Sequence, residues 1–230
     1  MQGNWEKATS AILGLSAAAF AVVIVHREFF AKPMTRLAAP PSAYVDNWRD
    51  AIPVGHAMGD PLSPIKLIEF GDLECPFCRS FNTTVHTVLK AFPGKVEYVF
   101  VQFPLPMHRF ANPAARALEC VAPSAFFQNA LDVFYAKQDS LGLKSWATYA
   151  EEAGVRDTVA FARCTTMTAA APMIVSGVAM GKKLGVAGTP TVVLNGWRYG
   201  EPPSDTELVR AIGDLLAGRR PYAGFPRAHN

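Results

Sequence analysis

Cys75 and Cys78, separated by Pro76 and Phe77, are the residues of this 230-residue chain whose types and spacing most directly allow chemistry. Two thiols one helical turn apart can pass between dithiol and disulfide through a mixed disulfide with another molecule. That chemistry needs one sulfur held as a thiolate, and the flanking residues say how. Apolar Ile65, Leu67, Ile68 and Phe70 run between Pro64 and Gly71, the length and borders of a buried strand. Beyond the cysteines the period changes: Phe81, Val85, Val88, Leu89 and Phe92 fall on one helical face, and Pro93-Gly94 closes the helix. Cys75 therefore opens a helix, with Pro76 in the first turn, where a missing N–H costs nothing. Free backbone N–H groups and the positive end of the helix dipole both favour its thiolate.

Half of a zinc site and a purely structural bridge are the other readings of the pair. Zinc would require further ligands at a compact spacing, such as a second Cys-x-x-Cys or a His-x-x-x-His, and the sequence has neither. A second motif then joins the first. Glu69-Phe70 followed four residues later by Cys-Pro-Phe-Cys, together with Gly188-Thr189-Pro190-Thr191 before a later strand, resembles thioredoxin-fold proteins of the DsbA type, which are exported thiol–disulfide oxidoreductases. The resemblance covers about Trp48 to Gly218. It implies an α/β thioredoxin fold with an inserted helical domain, and a cis Thr189-Pro190 peptide lying against the cysteine pair. It also implies that Glu69, six residues before Cys75, is a buried acid assisting proton transfer at the inner cysteine; a strand glutamate facing solvent is the alternative. Cys75 is then the exposed attacking sulfur and Cys78 the resolving one. Phe77, Gly188, Thr189 and Pro190 are the expected substrate-binding residues, with an extended segment pairing beside the proline by strand addition. No metal or organic cofactor is required. The implied partners are cysteine-containing exported proteins and a membrane quinone-linked oxidase of the DsbB or vitamin-K-epoxide-reductase type.

Cys120 and Cys164 complete an even count of four cysteines. Full pairing is favoured in an exported protein, and DsbA-like proteins with cysteines at similar places resemble this arrangement, so a second, structural disulfide is expected between them. Two unrelated buried thiols are the alternative.

A net charge of +3, from 22 basic and 19 acidic residues, is too small and scattered to suggest nucleic acid. Residues 8–25, ATSAILGLSAAAFAVVIV, carry no charge and reach the short end of a spanning helix. A cleaved signal peptide ending near Ala19-Phe20-Ala21 is the rival, but the apolar run continues through Val25 and Lys7 is offset by Glu6. Residues 1–30 are therefore expected to anchor the chain in the inner membrane. Arg27, Lys32 and Arg36 favour a cytoplasmic C-terminal side; the cysteines and the exported resemblance favour the extracytoplasmic one, which is preferred. A disulfide reductase or isomerase of the same fold, and a non-catalytic accessory subunit of a larger membrane complex, are the alternative readings of the whole chain.

The remaining organisation follows the chain. Residues 31–63, rich in Pro and Ala, read as a tether and lead-in, with Tyr44 to Trp48 able to dock on the core. Segments 64–107 and 186–218 form the thioredoxin-like core, in which Val96 to Phe103 is the strongest strand and runs parallel to Ile65–Phe70. Between them, 108–185 carries helices near Phe110–Val121, Ser124–Lys137, Ser145–Gly154, Asp157–Cys164 and Ala171–Leu184, with Phe126, Phe127, Ala130, Leu131 and Phe134 on one face. His108, after a Pro-rich turn, reads as a structural hydrogen-bond partner. Thr191–Leu194, Asn195-Gly196 and Trp197–Tyr199 make a hairpin with a type I′ turn. Ser204 and Glu207 cap a last helix whose Leu208, Ile212, Leu215 and Leu216 face inward and which Gly218 ends. The tail, 219–230, reads as disordered.

Overall fold

A computed structural model describes residues 41–121, 126–167 and 171–222, all within the compact unit Ala38–Asn230. Its centre is the pair of apolar runs seen in the sequence. Strand β3 (Ile65–Gly71) and strand β4 (Val96–Gln102) lie parallel, joined by helix α1 (Pro76–Ala91). Both are covered on their two faces, as near-continuous apolar strands require. Alternation sorts their side chains. Leu67, Tyr98 and Phe100 join the core beneath α1, whereas Ile68, Phe70, Val99 and Val101 pack into a second core on the opposite face. Phe81, Val85 and Val88 bury the inner stripe of α1, and Gly94 takes the left-handed φ of +68° that ends it.

Strand β5 (Thr191–Leu194) adds antiparallel to β3, and β6 (Trp197–Tyr199) adds to β5 through a turn in which Asn195 and Gly196 have φ of +44° and +95°. Positive φ at both positions is what a type I′ turn needs. Asn195 also pins the turn to β3, its Oδ1 accepting from the Lys66 N–H at 2.7 Å. The inserted region is helical as expected: α2 (Ala111–Val121), α3 (Phe127–Ala136), α4 (Trp146–Glu152), α5 (Thr158–Thr165) and α6 (Pro172–Lys183). Ser145 and Asp157 cap α4 and α5 by accepting the N–H groups of Thr148 and Ala160. Cys120 on α2 and Cys164 on α5 are joined by a disulfide across 44 positions, with their Cα atoms 5.8 Å apart. Helix α7 (Asp205–Leu216) closes the fold, Ser204 Oγ accepting the Glu207 N–H.

Several expectations are corrected. The lead-in does more than tether: β1 (Pro41–Tyr44) pairs with β6, β2 (His56–Met58) pairs with β4, and the sheet order is β1-β6-β5-β3-β4-β2. These strands are too short for periodicity to reveal; the sheet edges they cover define them. Trp48 and Ala51, in the 3₁₀ turn Trp48–Val54 between them, are buried. The start of the tail is also ordered, since Tyr222 is buried and packs edge-on to Trp197 and Tyr199. Leu216 is exposed, and Ala211 takes the inner position beside Leu208 and Ile212. Phe126 is exposed too, because it precedes the first turn of α3. Among the described residues no helix is long and apolar enough to cross a membrane. The expected anchor lies outside them.

Candidate active site

Cys75 is the N-cap residue of α1, extended at φ −76° and ψ 119°, with Pro76 next. In its protonated form its Sγ donates to the Thr189 carbonyl, 3.2 Å away, and the Thr189-Pro190 peptide is cis. The Cys78 thiol beside it is the chief cause that draws Cys75 down to about 5, and the N–H groups of Cys78 and Phe77 at the helix start add to this against the opposing effect of burial. Cys78 is fully buried, and its Sγ accepts from the Asp72 N–H at 3.4 Å. Burial, followed by the proximity of Cys75 and Glu69, pushes its pKa well up. One sulfur is therefore a thiolate at neutral pH and its neighbour a thiol.

Glu69 stands on the β3 face beneath these sulfurs and is fully buried. Burial pushes it up to about 8, although the Tyr98 hydroxyl, donating to Oε2 at 2.5 Å, and the Cys78 thiol both oppose this. A carboxyl titrating near neutrality beside a protonated thiol can exchange a proton with it.

The surrounding loop is held by residues that sequence reasoning missed. Asp72 is buried; Oδ1 accepts the Glu74 N–H at 2.8 Å, and Oδ2 accepts the Leu105 N–H and lies 2.8 Å from His108 Nδ1. His108 is thus a structural partner, as its context suggested. Gln138, reaching in from the helical insertion, donates through Nε2 to the carbonyls of Leu73 at 2.8 Å and Cys75 at 2.9 Å. Arg79, in the first turns of α1, pairs with the adjacent Asp139 at 3.0 Å. Asp72 is flagged in the sequence only by its closeness to the cysteines. Gln138 has no local signal, because its partners lie 63 and 65 positions away.

Comparison with known proteins agrees with this geometry. The family profile described as thioredoxin matches residues 52–214. The chain belongs to the thioredoxin family. The Na(+)/H(+) antiporter NhaA 3 of Salinispora tropica is 30% identical over 166 residues, which are 72% of this chain and 25% of that protein. The probable disulfide bond formation protein D of Bacillus cereus is 41% identical over 51 residues, 21% of this chain and 24% of that one. The chain spans about a quarter of the length of the curated antiporters it matches. Oxidised BdbD from Bacillus subtilis shares the fold, with a TM-score of 0.64, 21% identity, and coverage of 79% of this chain and 98% of that one. At the level of fold the resemblance to DsbA-type proteins holds.

The structure brings Cys75, Cys78, Glu69 and Thr189 together. Cys75 differs from its expected exposure: only 3% of its surface is open, because the Thr189 carbonyl lies over the sulfur. The exposed group is Phe77, at 67%. Pro190 is buried, while Gly188 is half-buried with open space where a Cβ would point. Cys120 and Cys164 pair with each other and take no part in the site.

Proposed function

We propose that this protein is a thiol–disulfide oxidoreductase that forms disulfides in exported proteins. The observation that carries the reading is the contrast between a Cys75 thiol drawn down to about 5 and a buried Cys78 held protonated next to Glu69. A stabilised thiolate favours the dithiol over the disulfide, which makes the disulfide an oxidant. In the forward step a substrate thiolate attacks Cys75 Sγ, the Cys75–Cys78 bond breaks, and Cys78 leaves with the electron pair and takes a proton from Glu69. A second substrate thiolate then attacks the substrate sulfur of the mixed disulfide, and Cys75 leaves as thiolate. The substrate is oxidised and the pair reduced. Phe77 and the segment Gly188–Pro190 form the surface on which an extended substrate lies. The chain is held at the inner membrane by residues 8–25, works on the extracytoplasmic side, and is returned to the disulfide by a membrane quinone-linked oxidase.

The reduction potential of the Cys75–Cys78 pair, measured against glutathione, tests the direction. A value well above the ~−270 mV of thioredoxin is expected; one at or below it selects a reductase. A second reading, an accessory domain serving a membrane assembly with its redox pair idle, is favoured by the antiporter names of the relatives. Co-purification with a transporter, with no loss of function in Cys75→Ser, selects that reading.

A further inference from the structure

We infer that Tyr98 is a positioning residue of the redox site: its hydroxyl holds the Glu69 carboxyl so that this group can take and return the proton of Cys78. The inference rests on the proposed role of Glu69 and adds a residue to it. Register puts Leu67 opposite Tyr98 and Glu69 opposite Phe100, so Tyr98 and Glu69 project from the same face of adjacent parallel strands. Both are fully buried, and the hydroxyl reaches Oε2 at 2.5 Å. The other oxygen, Oε1, has no hydrogen-bond partner among the described residues. Gly71, two residues further on the same face, leaves it room, since a Cβ there would stand 3.0 Å from Oε1 and 2.3 Å from the Phe100 ring.

Among the described residues, the groups that act on this carboxyl carry no positive charge. Cys78 and Cys75 act on it from α1 and Tyr98 from β4, while Tyr135 on α3 senses both Glu69 and Cys78; Asp132 acts on Tyr98 and Asp72 on Tyr135. A buried carboxylate without a cation depends on hydrogen bonds. To take the Cys78 proton before Cys78 attacks Cys75 Sγ, Glu69 must first be the anion, and the Tyr98 O–H is the donor already aimed at that anion. Tyr135 is the internal control. Its hydroxyl is buried in the same region and has no hydrogen-bond partner among the described residues.

Reaction of the reduced protein with oxidised glutathione isolates this step. Cys75 displaces one glutathione thiolate, and Cys78, once deprotonated, attacks Cys75 Sγ and releases the second, so the pair is oxidised as the disulfide is reduced. Resolution of the mixed disulfide is followed from pH 5 to 10 by mass spectrometry. Tyr98→Phe is expected to slow it about tenfold at pH 7 and to move the titrating limb about one to two pH units alkaline. Tyr135→Phe should leave the limb in place, and Tyr98→Phe should add nothing in a Glu69→Gln background. A limb unmoved by Tyr98→Phe but abolished by Glu69→Gln overturns the inference alone; a uniform slowing without a pH shift does the same. A limb that survives Glu69→Gln overturns the proton-transfer reading beneath it. Should Tyr98→Phe not fold, the wild-type protein decides: the infrared C=O band lost in Glu69→Gln must have the frequency of a hydrogen-bonded acid, and a free-acid band overturns the inference.

Discussion

Cys120 and Cys164 tie two helices of the insertion across 44 positions, whereas Cys75 and Cys78 share one turn at the start of a single helix. The same bond type therefore sits in two environments that treat it differently. Closing a long loop restrains the unfolded chain strongly, which favours keeping that bond. Closing one helical turn restrains it much less, and the helix start also stabilises the thiolate released when the bond opens. Sequence separation and helix polarity distinguish a pair that holds structure from one suited to exchange.

The largest expected effect is on exchange. Cys75→Ser should reduce oxidation of a dithiol peptide by at least about a thousandfold, since it removes the nucleophile; a residual rate above that level would move the chemistry elsewhere. Replacing Cys120 and Cys164 by Ala together should leave this rate unchanged while lowering stability by about 4 kcal/mol in the chain-entropy model. Denaturant titration measures the loss, and a slowed exchange rate would show that the two pairs are coupled.

A pH series sharpens the contrast further. Cys75 is lowered from 9 to about 5, so its contribution to the reduced folded state is fully present above pH 9 and lost as pH falls through 5. At pH 7 this favours the reduced over the oxidised form by about 2 to 3 kcal/mol. Glu69 is raised from 4.5 to about 8 and acts oppositely: its contribution is complete below pH 4.5 and lost as pH rises through 8. Between pH 5 and 8 the two slopes offset each other in the reduced protein. The oxidised protein, with no thiol to titrate, should lose stability across that range, and Glu69→Gln should flatten the loss. Parallel stability curves for the two redox forms would contradict the assignment of the thiolate.

Smaller effects concern how the insertion grips the redox turn. Gln138→Ala removes the side-chain donor to the Leu73 and Cys75 carbonyls, of which the Cys75 carbonyl keeps the Arg79 N–H, and should destabilise the fold by about 1 to 3 kcal/mol. Arg79→Ala breaks only an exposed pair with Asp139 and should change stability by less than about 1 kcal/mol. Chemical denaturation of both variants ranks them, and the reverse order would make the ion pair the real contact.

By itself the sequence determined the elements whose signals are local: the strand that runs into Cys-Pro-Phe-Cys, the helix that starts there, the β4 run, the five helices of the insertion and the Asn195-Gly196 hairpin. Each follows from periodicity, caps or turn residues within a few positions, and the strand–motif–helix order is enough to place a thiol at a helix start. The pairing of Cys120 with Cys164 rested on the even cysteine count together with the resemblance, and the burial of Glu69 on the resemblance alone, since that residue carries no pattern of its own. Tertiary structure alone decided that β1 and β2 cover the sheet edges, that Tyr222 packs back onto β6, and that Leu216 and Phe126 face outward. It also decided the near-closure of Cys75 beneath the Thr189 carbonyl and the grip of Asp72, Gln138 and Tyr98 on the site. These contacts join residues 29 to 114 positions apart. Hydrogen bonds and packing at such range depend on how the sheet and the insertion come together, and they leave no period in the chain to read.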